Sequence, residues 1–175
     1  MPVFQAQGWK VYFYSEFRER HAAVRASFDA LRAEVTAGTL TPAQFAANRD
    51  VKLYEALTKI TSDLVPADPQ ADRFRLGKTL KKIGSNWRRV KHHGLHDRDR
   101  LFFRFDSASR SIIFAWLNDE NTQRKEGAKT DCYAVFLKML ERKQPPAEFD
   151  ELLAAVVAEE AQREALARGQ AARRA

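Results

Sequence analysis

The sequence predicts an α+β fold, with an N-terminal helical hairpin packed on a mainly antiparallel twisted sheet and helices again at the C-terminal end. Three observations predict it. Between residues 15 and 64 apolar side chains recur at spacings of three and four, the period of a helix face. Between 86 and 117 the pattern changes to short β-branched and aromatic runs separated by turn-like segments. From residue 131 the helical period returns. At 175 residues and 45% hydrophobic content the chain has room for one good core. Residues 1–146 are therefore expected to form one domain, with the hairpin at about 15–64, a basic sheet at about 73–117, and 147–175 as a C-terminal helical appendage.

Residues 8–14, Gly-Trp-Lys-Val-Tyr-Phe-Tyr, read as a first strand. Ser15 can cap the helix that follows, whose face carries Phe17, His21, Val24, Phe28, Leu31 and Val35, and Gly38 closes it. His21 reads as a core-edge histidine. Thr41-Pro42-Ala43-Gln44 spells a capping box with proline at the first helical position, and the stripe Phe45, Leu53, Leu57, Ile60 and Leu64 continues from it as one second helix. Residues 65–72, with Pro66 and Pro69, read as a linker. Strands follow at 86–91, 99–105 and 111–117, joined by hairpin-length segments at 92–96 and 106–110. Residues 131–142 read as a helix ended by Pro145-Pro146, and a last helix runs from Glu148 to about Ala167.

Charge is concentrated in one window. From Arg73 to Arg104 there are eleven Lys or Arg against Asp97 and Asp99, about +9, whereas the whole chain carries +7. The block is interleaved with aromatic and aliphatic residues, so it reads as a folded basic surface, and a phosphate backbone is its natural partner. A solvated basic face without ligand is the competing reading. No apolar run reaches the ~20 residues that span a bilayer, and Met1-Pro2-Val3 does not begin a signal peptide, so a cytoplasmic address and no membrane association are expected. Cys132 stands alone in an apolar run and reads as a small buried hydrophobe, not a nucleophile.

Strand alternation sorts the charges. Asp99, Leu101, Phe103 and Phe105 share one face; Arg100, Phe102 and Arg104 share the other, and one face is expected to be core and the other basic. Trp87, Arg89 and Lys91 stand opposite Arg88 and Val90. Antiparallel pairing would gather Arg89, Lys91, Arg100 and Arg104, with Arg98 near the turn, on one concave surface, where guanidinium forks suit phosphate. The third strand runs out into Trp116-Leu117-Asn118-Asp119-Glu120-Asn121-Thr122-Gln123-Arg124-Lys125, followed by Lys129, Asp131 and Tyr133. Asp119 or Glu120 could serve as a base, a cation could stabilise a phosphorane, and Tyr133 or an amide could orient it. A polar loop whose Asn and Asp merely cap the turn is the plainer alternative.

From Lys52 to Pro146 these residues resemble the YhaV toxins, part of the wider RelE/ParE-like group of toxin-antitoxin modules. The resemblance rests on Leu53-Tyr54-Glu55-Ala56-Leu57, Phe74-Arg75-Leu76-Gly77-Lys78, Trp87-Arg88-Arg89-Val90-Lys91 and Lys129-Thr130-Asp131-Cys132-Tyr133. Its densest motifs are Arg98-Asp99-Arg100-Leu101-Phe102-Phe103-Arg104-Phe105 and Trp116-Leu117-Asn118-Asp119-Glu120-Asn121-Thr122. It implies a RelE-like small ribonuclease fold and a metal-independent endoribonuclease that cleaves mRNA, on the ribosome or off it, by attack of the 2′-hydroxyl on the adjacent phosphate. It also implies inhibition of translation and growth, a PrlF-type AbrB-like antitoxin as partner, and contact with operator DNA only through the antitoxin complex. The implied catalytic positions are Arg89, Lys91, Arg98, Arg100, Asn118, Asp119, Glu120, Arg124, Asp131 and Tyr133, with Arg124 and Tyr133 at the scissile phosphate. Arg75, Lys78, Arg88, Arg104 and Lys129 are the implied RNA-binding positions.

His92-His93-Gly94-Leu95-His96-Asp97 departs from the short turn of relatives. These histidines could be solvated, could act as acid and base, or could bind an inhibitory zinc at His92, His93 and His96 with Asp97 or Asp99; no cofactor is required. Two rival readings remain at this level: a non-catalytic RNA- or antitoxin-binding module of the same fold that co-represses its operon, and a gyrase-poisoning toxin. The Asn-Asp-Glu turn and the basic hairpin disfavour the second.

Overall fold

The computed structural model describes residues 1–77, 83, 84 and 86–174. A short strand β1 (Phe4–Ala6) turns through Gln7 and Gly8 into β2 (Trp9–Phe13). After β2 come helices α1 (Ser15–Thr36), α2 (Pro42–Ala47), α3 (Arg49–Lys59) and the short α4 (Val65–Ala67). Then follow β3 (Arg88–Val90), β4 (Leu101–Asp106), β5 (Ser111–Leu117), α5 (Cys132–Glu141) and α6 (Phe149–Arg174). The strands form one sheet in the order β1-β2-β5-β4-β3, antiparallel throughout except for β2 against β5. The α+β class expected from the sequence is therefore present, as a mixed, mostly antiparallel sheet with a long C-terminal helix.

Several local expectations need correction. β1 was not foreseen, because three residues are too few to display a period. Tyr14, not Ser15, occupies the N-cap of α1 and makes no side-chain cap bond; Ser15 Oγ donates to Glu16 instead. The second helix is not continuous. The capping box of Thr41 and Gln44 forms as expected, but Asn48 leaves the helical region (ψ 139°) and caps a new helix by accepting from the Asp50 amide at 2.8 Å. At the far end the chain widens into a π-helical turn, Ile60–Leu64, just before Pro66. A proline ring would collide with the carbonyl of a regular preceding turn, and the wider turn relieves that collision. Residues 65–72 are not a solvated linker either: Val65, Pro66 and Pro69 are buried, and Phe74 follows at 1% exposure.

Both faces of the sheet are packed, which overturns the expectation of one apolar and one basic face. Val11, Phe13, Leu101, Phe103, Ile112 and Phe114 meet Phe17 and Val24 of α1 and Leu53, Leu57 and Ile60 from α3 and its end. On the opposite face Phe102, Ile113 and Ala115 meet Trp87, Phe136 and Leu140, together with Leu152 and Val156 of α6. Arg18 of α1 ties α6 down further through Glu159 (3.1 Å) and Glu160 (2.8 Å). Cys132 lies inside this second layer, where burial pushes its thiol up to about 12, so it is the small hydrophobe that its sequence context indicates.

Candidate active site

The start of β4 faces the start of α5, and here three of the expected cations converge on Tyr133. Arg89 Nε donates to Tyr133 Oη at 2.6 Å and Arg100 Nε donates to the same oxygen at 3.2 Å. The Arg124 guanidinium lies 5.2 Å from the centre of the Tyr133 ring. Phe102 meets that ring edge-on at 5.7 Å and is itself stacked on Phe136 at 4.1 Å, so the tyrosine is fixed from behind. Both ring-side bonds place the hydroxyl oxygen as acceptor, which leaves its own O–H proton to be donated outward.

Arg100 and Arg89 are held in turn by backbone. Arg100 Nη1 donates to the carbonyls of Asp97 and Asp99, both at 2.7 Å, and Arg89 Nη1 donates to the Arg75 carbonyl at 2.5 Å. Asn118 is the strap: its Oδ1 accepts from the Arg100 amide at 2.5 Å while its Nδ2 donates to the carbonyls of Arg98 and Thr122. Asp131 caps α5 by accepting from the Tyr133 amide (3.0 Å), accepts from the Lys125 amide (2.7 Å) and pairs with Arg124. Burial works against the charge of Arg124, yet Asp131, with Glu126 further off, holds its pKa above the ordinary value. The N-terminal end of α5 adds a favourable field for an anion.

The other expected site residues fall elsewhere. Asp119 Oδ1 accepts from Asn121 N, Thr122 N and Thr122 Oγ1, a turn-capping role, and Glu120 is exposed, 3.7 Å from Arg20. Arg98, Lys129 and Arg75 are exposed and Lys91 is half-buried; Arg75 pairs with Asp72 at 3.0 Å. Arg88 leans over Phe105 on the opposite face from Arg89. Lys78 lies outside the described residues. Arg104, expected on the concave basic surface, is enclosed between Trp87 and Phe149, at 6% exposure, and burial lowers its pKa despite Glu148 and Asp150. Helix α6 covers it, and no feature of the β4 sequence announces that cover.

Neither does the histidine loop gather as a zinc site would require. Among the described residues no group of three His, Cys, Asp or Glu side chains is placed to hold a metal ion. His92 Nδ1 lies 3.7 Å from Asp97, and His96 Nδ1 accepts from the Arg98 amide. His93 sits against α3, where burial and the cations Arg73, His92 and Lys59 lower its pKa. Sequence reading missed Arg20 and Arg49, and did not foresee that Asp99 would be buried. The available signal was its place on the same face as Leu101 and Phe103, a carboxylate on a core face.

Comparison with known proteins identifies the family. The model of a family described as a toxin with endonuclease activity, of toxin-antitoxin system, matches residues 16–157. Toxin YhaV of Escherichia coli O6:H1 is 37% identical over 150 residues, covering 85% of this chain and 92% of the relative. Ribonuclease toxin YhaV of Escherichia coli K12 is 36% identical over the same length and coverage. No solved structure gives a significant match. The chain therefore belongs to the YhaV family of toxins of toxin-antitoxin systems, a family with endonuclease activity.

Proposed function

We propose that this toxin is a metal-independent endoribonuclease that cuts mRNA in the cytoplasm, so arresting translation and growth, and that a PrlF-type antitoxin neutralises it. The observation that carries the reading is the convergence of two guanidinium donors on the Tyr133 hydroxyl, with a third guanidinium beside its ring. In this reading the substrate 2′-hydroxyl attacks the adjacent phosphorus and loses its proton to water. The bond to the 5′-oxygen breaks, and Tyr133 delivers its proton to that leaving oxygen. Arg89 and Arg100 point at the atom on which negative charge then develops, and Arg124 neutralises the phosphorane. The products are a 2′,3′-cyclic phosphate and a free 5′-hydroxyl.

Of the two carboxylates offered by the sequence as bases, Asp119 is engaged in its turn and Glu120 is exposed beside Arg20, so in this reading charge stabilisation and protonation of the leaving group carry the rate. A RelE-like fold is part of the same proposal, supported by a small, mostly antiparallel sheet whose edge strand β3, with the loops that lead into β4 and α5, presents the cations. Incubating purified chain with a single-stranded RNA tests it. Cleavage should persist in a chelator and yield cyclic-phosphate ends, and Tyr133→Phe, Arg89→Ala and Arg124→Ala should each lower the rate by ~10²–10³ while thermal melting remains cooperative. Folded, fully active variants at all three positions would remove the site.

A further inference from the structure

On the side of β4 away from Tyr133 there is a concavity of about 280 Å³ between the start of α3 and the histidine loop. Its volume is close to the lower end of the ~300–1,000 Å³ common for small-ligand sites. Ala47, Leu53 and Leu95 contribute apolar wall, Arg49 and Lys52 contribute cations, His96 contributes an imidazole, and Asp99 contributes a carboxylate. Asp99 is only 4% exposed, and its Oδ1 has no hydrogen-bond partner. An unsatisfied buried carboxylate oxygen is costly, so a partner that the described chain does not supply is called for.

The wall is firm. Gly94 has φ +92°, and a Cβ there would stand 2.8 Å from the Ala56 Cβ, so the loop is pressed against α3; the Asp99 amide is also tied to the His96 carbonyl at 2.8 Å. Charge narrows the ligand. Arg49, Arg20 and Arg100 all act on Asp99, so a further cation would be repelled by three groups, and an anion placed against the carboxylate would be repelled by Asp99 itself. What fits is a flat, neutral, apolar-faced group with N–H donors at its inner end and negative charge only at the rim. Nucleotides have that layout. Guanine alone among the four RNA bases presents two parallel donors, N1–H and the exocyclic amine, to one carboxylate. Adenine and cytosine put a ring lone pair beside their amine, and uracil flanks its single N–H with carbonyl oxygens.

We propose that this cavity is a base-selecting subsite for guanine, with Asp99 accepting from the base and Arg49 and Lys52 holding the attached phosphate. The inference rests on the reading of the chain as an RNA-cutting enzyme and deepens it. Asp99 and Arg100 are consecutive, so a strand of RNA crossing the start of β4 would place a base on one side and a phosphate against the guanidiniums on the other.

Calorimetric titration of the full chain with GMP, AMP, CMP and UMP at one ionic strength tests it. GMP should bind about tenfold or more tighter than the other three, and Asp99→Asn should reduce that preference to about threefold or less. Arg49→Gln should weaken GMP while leaving guanosine, which lacks the phosphate, unchanged, and this comparison stands even if the Asp99 variant does not fold. Equal binding of all four nucleotides, or a guanine preference that survives Asp99→Asn, overturns the proposal. Equal binding together with an antitoxin that no longer neutralises Asp99→Asn overturns it too, and gives the cavity to a protein donor group. Mononucleotide binding needs no cleavage, so a chain that prefers GMP yet leaves RNA intact refutes the ribonuclease reading alone.

Discussion

Asp99 and Arg100 are neighbours in the chain and opposites in environment. Arg100 enters the α5 side of the sheet, where its guanidinium meets Tyr133 and two backbone carbonyls and its amide is held by Asn118. Asp99 enters the α3 side, where its carboxylate borders a cavity with one oxygen unpaired. Both groups are buried and charged. One is satisfied by the protein itself and the other is not, and this difference separates a group arranged in advance for chemistry from a group arranged for something yet to arrive. Buried polar networks that are complete fix geometry, whereas incomplete ones store an unmet demand for a partner.

The comparison breaks most readily at Arg100. Arg100→Lys keeps the charge but cannot bridge Tyr133 and two carbonyls with a planar fork, so RNA cleavage in a single-turnover assay should fall ~10²-fold with little change in far-ultraviolet circular dichroism. Wild-type rates from this variant would mean that the completeness of the network is incidental to activity.

A smaller effect is expected one contact further out, at Asp131. Asn caps a helix as well as Asp does, so Asp131→Asn keeps the start of α5 and removes only the ionic hold on Arg124 and the charge-assisted bond from Lys125 N. Urea titration should show a loss of about 1.5–3 kcal/mol, and cleavage should drop about tenfold, equivalent to ~1.4 kcal/mol of lost positioning. An unchanged midpoint would show that Arg124 is placed by other contacts.

How much of this was legible in the sequence depended on whether one element or two decided the outcome. The alternation of β3 was readable from the strand alone: Trp87 and Arg89 do lie on one face and Arg88 and Val90 on the other, as the pairs Arg88↔Phe103 and Arg89↔Phe102 confirm. The capping box at Thr41, the α5 start at Asp131 and strand 111–117 were equally local. Arg100 and Arg104 separate the two cases. Alternation puts both on one face, but Arg104 lies under Phe149 of α6, some forty residues later in the chain, so its burial is a tertiary fact. Likewise Asp119 reads either as a base or as a turn cap until Thr122 is seen to occupy it. The resemblance named the residues of the Tyr133 cluster, but which of them touch was settled only by the fold.

The smallest expected effect lies at Asp99, and its sign is what sharpens the contrast. Burial raises the carboxyl pKa above its ordinary value, and the charges of Arg49, His96, Arg20 and Arg100 offset that only in part. A group whose folded pKa is raised favours folding while protonated, so its contribution is fully present below the ordinary aspartate value of about 3.9 and is lost as pH rises through the folded pKa. Asp99→Asn removes the ionisable group. The variant should therefore melt higher than wild type at neutral pH, by about 1 kcal/mol of stability, and that gain should shrink toward zero as the pH of the melting buffer is brought below about 4. A variant that is less stable than wild type at neutral pH would mean that the surrounding cations already satisfy the carboxylate, and the two sides of β4 would then be alike. Saturating GMP offers the converse measurement, because a ligand that donates to Asp99 should stabilise the wild type and so narrow the gap between it and Asp99→Asn.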